Sequence, residues 1–301
     1  MIKIFRIVVA VLAFSAPSGA AWSKTILFVG NSFTYGEHSA LKHYNTNTVT
    51  DLNMTNFGGV PALFKAFAEQ AGLDYQVSLE TVGGTGLDYH FREKLPLLDR
   101  PWDVVVLQSY STLDQDHPGD PRIILEYAKR FSDLLHRRNR DVTIWLNATW
   151  SRADMTYPDG TPWHGKPVEQ MARDIEAGYR LAARNSPGIA GVIPVGLAWN
   201  SAIDAGIADP NPYDGISDNK IDLWAFDHYH ASAYGYYLEA LMLFGRVTGV
   251  DPMTLGEREK SIDDLGLDSR VIGALERIAH DQLIGEQARV DVLPRSRAGR
   301  N

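Results

Sequence analysis

The stretch Thr25-Ile26-Leu27-Phe28-Val29-Gly30-Asn31-Ser32-Phe33-Thr34 joins an unbroken apolar run to a glycine and then to Asn31 and Ser32. Apolar residues that follow one another without alternation suit a strand covered on both faces. The run stops at Gly30, so Ser32 falls just past the C-terminal end of a first strand, the edge where open α/β sheets bind ligands. A serine hydroxyl there is protonated at neutral pH and attacks only with help from a base. The competing reading is structural: Ser32 or Thr34 caps a following helix.

The pattern recurs downstream. Residues 75–81, 102–108, 143–147 and 191–195 read as further strands, which makes five in all. Residues 61–71, 121–138 and 167–185 read as helices, each with a proline near its first turn, where a missing N–H costs little. A parallel sheet flanked by helices follows. Two long connections, 35–59 and 149–166, break the rhythm, and the second holds Trp150, Tyr157, Trp163 and His164. Loops of that length are functional or disordered, and their aromatic content predicts order.

A base for Ser32 is found far along the chain, in Phe226-Asp227-His228-Tyr229-His230, immediately before the periodic stretch 231–247. An aspartate three residues before a histidine can hold the imidazole in one tautomer and stabilise its protonated form. Asp227 and His230 are therefore the expected orienter and base, with His228 as the rival base. A divalent-metal site and a plain helix cap at Asp227 are the alternatives. Two more strand ends carry useful groups: Val82-Gly83-Gly84-Thr85-Gly86 and Leu107-Gln108-Ser109. A glycine N–H and a carboxamide there, with the N–H of Ser32, would make an oxyanion hole; a simple turn is the alternative for the glycines. His38, His43, His90, His117 and His136 read as solvent-facing, and His164 as a residue that could line the site.

Taken together, these four segments, in this order, resemble the blocks of the SGNH, or GDSL-like, hydrolase superfamily over residues 25–247. The resemblance implies a three-layer α/β/α sandwich with a mainly parallel, flavodoxin-like five-stranded sheet. It implies Ser32 as nucleophile, Asp227 and His230 as its partners, and Ser32, Gly84 (or Gly83) and Gln108 around the oxyanion. Asn31 stands where the family more often has aspartate, and Gln108 where it usually has asparagine. No metal and no organic cofactor is implied. The similar members include polysaccharide acetylesterases, and the loops offer aromatic and polar groups suited to sugar rings; Asn31, Asn147, Trp150 and Trp163 are the expected substrate-lining residues. Acetyl esters of carbohydrate are thus the expected substrates. A short-chain aryl, thio or lysophospholipid esterase, an O-acetyltransferase and a catalytically silent glycan-binding protein are the alternatives.

Composition sets the outer limits. With 301 residues, 45% of them hydrophobic, the chain can bury a large core, and one hydrolase domain over 22–287 is expected. Lys3 and Arg6, an apolar run over 7–14 and the small residues Ser18 to Ala21 read as a signal peptide over 1–21, hence an exported, periplasmic or secreted protein. That run is too short for the roughly 20 residues of a membrane span, so no stable membrane insertion is expected. Residues 288–301, with Arg289, Arg295, Arg297 and Arg300 but no apolar period, read as a flexible tail. The chain has no cysteine, which excludes disulfides and thiolate chemistry. A net charge of −8 argues against nucleic acid as a partner; an acylated carbohydrate or other small ester is the expected one.

Overall fold

The computed structural model describes residues 23–256 and 258–292. Six strands pair in the order β2-β3-β1-β4-β5-β6: β1 Lys24–Gly30, β2 Thr50–Asp51, β3 Tyr75–Thr81, β4 Val104–Leu107, β5 Thr143–Ala148 and β6 Ile189–Pro194. Every pairing is parallel. Among the described residues the helices are α1 Ser32–Tyr35, α2 Gly59–Gln70, α3 Leu87–Glu93, α4 Leu95–Leu98, α5 Arg122–Arg138, α6 Glu169–Asn185, α7 Val195–Asp204, α8 Ala233–Thr248, α9 Lys260–Asp264 and α10 Ser269–Val292.

The five expected strands are all present, and β2 is a sixth that corrects the count. It is a two-residue edge strand inside the 35–59 connection, paired through Thr50 and Asp51 to Ser78 and Leu79. Two residues carry no periodicity, so nothing in the sequence could mark it. Without it, the other five strands stand in the flavodoxin-like order, with β3 and β4 on either side of β1.

Alternation along the strands sends side chains into two cores, which is why β4 and the centre of β1 are apolar at every position. Ile26, Phe28, Val77, Leu79, Val104 and Val106 pack under α2, α7, α8 and α10. Leu27, Val29, Val105, Leu107, Ile144 and Leu146 pack under α3, α5 and α6. The result is the expected three-layer sandwich. No described helix is long and apolar enough to cross a membrane. The segment read as a signal peptide lies outside the described residues. Helix α10 continues to Val292, five residues into the segment read as a tail, and residues 293–301 lie outside the described ones.

Topology then places the site. From β1 the chain passes through α2 to β3 on one side, and then through α3 and α4 to β4 on the other. The register sets Val29 beside Leu107 and Gly30 beside Thr81, so β1, β3 and β4 end at one level. Ser32, the 82–86 turn and Gln108 share the crevice at this switch point.

Candidate active site

Ser32 is the first residue of α1, and Asn31 is its N-cap, with Asn31 Oδ1 accepting from the Phe33 N–H at 3.1 Å. The cap reading of Ser32 is thereby displaced by one residue, and the serine hydroxyl is left free for another partner. That partner is His230, whose Nε2 lies 2.9 Å from Ser32 Oγ. His230 Nδ1 lies 2.6 Å from Asp227 Oδ2, and Asp227 Oδ1 accepts from the N–H groups of Tyr229 and His230 at 3.1 and 3.0 Å. Ser32 and His230 are only 5% and 7% exposed.

The 225–230 loop is shaped for this contact. The Ala225 N–H donates to His230 O, the His228 N–H donates to Ala225 O, and His228 takes the left-handed conformation at φ 55°. His228 is thus turned away and packs on Tyr213 at 4.2 Å, which leaves His230 as the histidine facing Ser32. Nor does Asp227 cap α8, because Ser232 occupies that position.

Electrostatics suit a neutral base beside a charged acid. Burial pushes the His230 imidazolium below the ordinary histidine range, by more than the Asp227 carboxylate pulls it up. Burial opposes ionisation of Asp227 as well, but the His230 ring and the two backbone N–H groups outweigh it and hold the carboxyl below the usual range. His38, read as solvent-facing, is exposed yet sets Nε2 3.4 Å from Asp227 Oδ2. His38, Asp227 and His230 bring three potential ligand atoms within 4.8 Å of one another. Both ring nitrogens of His230 are already hydrogen-bonded, so a cation there would have to displace Ser32 or Asp227.

Two backbone donors are available for an oxyanion. The N–H groups of Ser32 and Gly84 have no acceptor among the described residues. Gly84 lines a cavity of about 340 Å³ with Asn31, Tyr110, Ser111, Arg152 and Tyr229. It adopts φ +72°, and a Cβ there would meet nothing within 4 Å. Gly83 is the other case: a Cβ on it would stand 2.6 Å from Tyr35 Oη, so packing accounts for that glycine.

Gln108, expected as a third donor, is buried and tied to its neighbours and does not line this cavity. Its Oε1 accepts from the Asn31 N–H at 2.9 Å and from Thr34 Oγ1 at 3.1 Å, and its Nε2 donates to Ser109 O. The longer arm folds the amide back over Gly30, where a Cβ would stand 2.7 Å from Gln108 Oε1. Oε1 is thus spent on the turn that carries Ser32, and one of the two Nε2 protons goes to Ser109 O.

Of the four expected lining residues, only Asn31 reaches the cavity. Asn147 is buried and donates to Glu239 Oε1 at 2.6 Å. Trp150 is buried beneath Phe33, stacked on Trp199 at 4.6 Å. Trp163 is buried in the opposite core, with Nε1 donating to Asp174 at 2.9 Å. Large aromatic side chains were drawn to the core, as their area favours. His164 is tethered to Tyr157 O and Asp159, and His90 is buried rather than solvent-facing.

The lining residues missed in the sequence follow the known motifs closely. Tyr110, Ser111, Thr112 and Gln115 lie two to seven positions after Gln108, and Tyr229 lies inside the Asp227–His230 segment. Arg152 stands 3.5 Å over the Tyr229 ring and is held by Asp154, with Nε 3.0 Å from Oδ1.

No protein-family model matches the sequence, and no curated protein matches it. Among solved structures the chain is similar to a DUF4886 family protein from Bacteroides uniformis, with a TM-score of 0.60 at 16% identity over 87% of this chain and 95% of that one. It is similar also to a GDSL-like lipase candidate from Parabacteroides merdae, with a TM-score of 0.50 at 18% identity over 75% of this chain and 96% of that one. At these identities the likeness is one of fold, and that fold is the one implied by the order of the sequence blocks.

Proposed function

We propose that the chain is a serine esterase that removes short acyl groups, acetyl foremost, from carbohydrate. The observation that carries this reading is the continuous chain Asp227–His230–Ser32, with spacings of 2.6 and 2.9 Å, beside two N–H groups that have no acceptor among the described residues. His230 Nε2 takes the proton of Ser32 Oγ as the oxygen attacks the ester carbonyl carbon. The resulting oxyanion meets the N–H groups of Ser32 and Gly84. Asp227 stabilises the imidazolium without itself being protonated.

Collapse of the tetrahedral intermediate breaks the bond to the sugar oxygen, which receives the proton from His230. Water then attacks acyl-Ser32 with His230 as base, and acetate and the free serine are regenerated. Support for a carbohydrate leaving group comes from the cavity lining, where Ser111, Thr112, Gln115 and Arg152 supply donors and acceptors beside the rings of Tyr110 and Tyr229. Pro118 and Met155 are the aliphatic side chains in the same lining.

Acetate release from acetylated xylan, other acetylated glycans and nitrophenyl esters of increasing chain length tests both levels. The expected order places acetylated glycan and acetyl ester above long acyl esters, with activity lost in Ser32→Ala. Undiminished turnover in Ser32→Ala overturns the assignment, and a preference for long chains overturns the carbohydrate reading alone.

A further inference from the structure

The turn that carries Gly84 is fastened from behind by side chains that the hydrolytic cycle leaves unused. Glu80, next to last in β3, and His90, in α3, are both fully buried, and Glu80 Oε2 lies 2.5 Å from His90 Nδ1. On the far side of the ring, His90 Nε2 lies 3.1 Å from Thr85 Oγ1, which itself lies 2.7 Å from Val82 O. A threonine hydroxyl has one proton, and a carbonyl oxygen can only accept. That proton therefore goes to Val82 O, and Thr85 Oγ1 accepts from the His90 Nε2–H. The other ring nitrogen, Nδ1, is left facing Glu80 Oε2.

The chain of contacts is anchored at both ends. Glu80 Oε1 accepts from Asn53 Nδ2 at 2.8 Å, and Asn53 Oδ1 accepts from Lys94 Nζ at 2.9 Å. At the other end Thr85 O accepts from Asn31 Nδ2 at 2.8 Å, which ties the turn to the residue before Ser32. A buried carboxyl and imidazole are costly to desolvate, and apolar side chains would fill the same space without that cost. What the polar pair adds is direction. It fixes Thr85, and through Thr85 the turn in which Gly84 holds its left-handed conformation.

We propose that Glu80, His90 and Thr85 are positioning residues that hold the Gly84 N–H where the oxyanion develops. The proposal rests on the esterase reading, with Gly84 as an oxyanion donor. A donor displaced by a fraction of an ångström stabilises the transition state less, while ground-state binding hardly changes.

Thr85→Val keeps the shape of the side chain, removes its hydroxyl and leaves the His90 Nε2–H without an acceptor. Per titrated active site on an acetyl nitrophenyl ester, kcat is expected to fall about 10- to 100-fold, with KM changed by no more than about twofold. Affinity for a boronic acid transition-state analogue should fall by the same factor as kcat. Thr85→Ser, which restores the hydroxyl, should recover most of both, and His90→Gln should lose them again. A Thr85→Val variant with unchanged kcat and analogue affinity overturns the proposal while leaving the esterase reading intact. A wild-type protein that neither hydrolyses the ester nor binds the analogue overturns both.

Discussion

At Asn31 one amide serves two ends. Oδ1 caps α1, while Nδ2 donates to Thr85 O and to Ser109 O at 2.8 and 3.2 Å. An aspartate could accept the first of these bonds but could not donate the other two, which accounts for asparagine before Ser32 in this chain. Gln108 completes the turn, because Asn31 N–H and Thr34 Oγ1 both point at its Oε1. Gln108→Ala is therefore expected to lose activity and stability together, since a buried N–H left without an acceptor costs about 1–3 kcal/mol. Chemical denaturation beside a kcat measurement checks this: a large fall in kcat at wild-type stability would restore Gln108 as a direct oxyanion donor. The meeting of Ser32, Asp227 and His230 was anticipated from the order of the sequence blocks, since each segment alone also fits a helix cap or a turn. The direction of the Gln108 amide was not legible, because it is set by Gly30 and Thr34 across the turn.

Strands and helices were legible where their apolar pattern was long. The five strands and helices α2, α5 and α6 were read within a few residues of their observed bounds, whereas β2 is too short to have a pattern. Asn147 shows what pattern alone misses. It is the penultimate residue of β5, under α8, where Glu239 is fully buried and its second oxygen has no hydrogen-bond partner among the described residues. Burial pushes the Glu239 carboxyl up to about 8, with the Asn147 amide pulling weakly the other way. The folded protein thus keeps a proton that the unfolded chain releases above the ordinary carboxylate range, so folding stability falls as pH rises from that range to about 8 and is level beyond. Glu239→Gln keeps the shape and stays neutral. Urea denaturation at about pH 5 and about pH 8 should show a loss for the wild type that the variant lacks; equal losses in both would show that Glu239 does not titrate in this way.

At the scale of the molecule, the parallel order does the assembling. It brings residues 198 positions apart in the chain into a hydrogen bond between Ser32 and His230. The shared sheet edge could be anticipated from strand ends, but the cavity wall could not, because Tyr110 to Gln115, Arg152 and Tyr229 sit on loops whose paths depend on both cores. The same limit explains Trp150 and Trp163: a tryptophan in a loop can face either solvent or core, and only the packed sandwich decides. Hydrolysis by this arrangement requires Ser32 to form a covalent acyl intermediate. Intact mass and peptide mapping after exposure of the folded protein to a fluorophosphonate read the nucleophile itself. A single adduct per chain is expected, on the peptide containing Ser32, absent in Ser32→Ala and strongly reduced in His230→Ala. A folded wild-type protein that takes up no adduct, or an adduct that persists in Ser32→Ala, rules Ser32 out as the nucleophile.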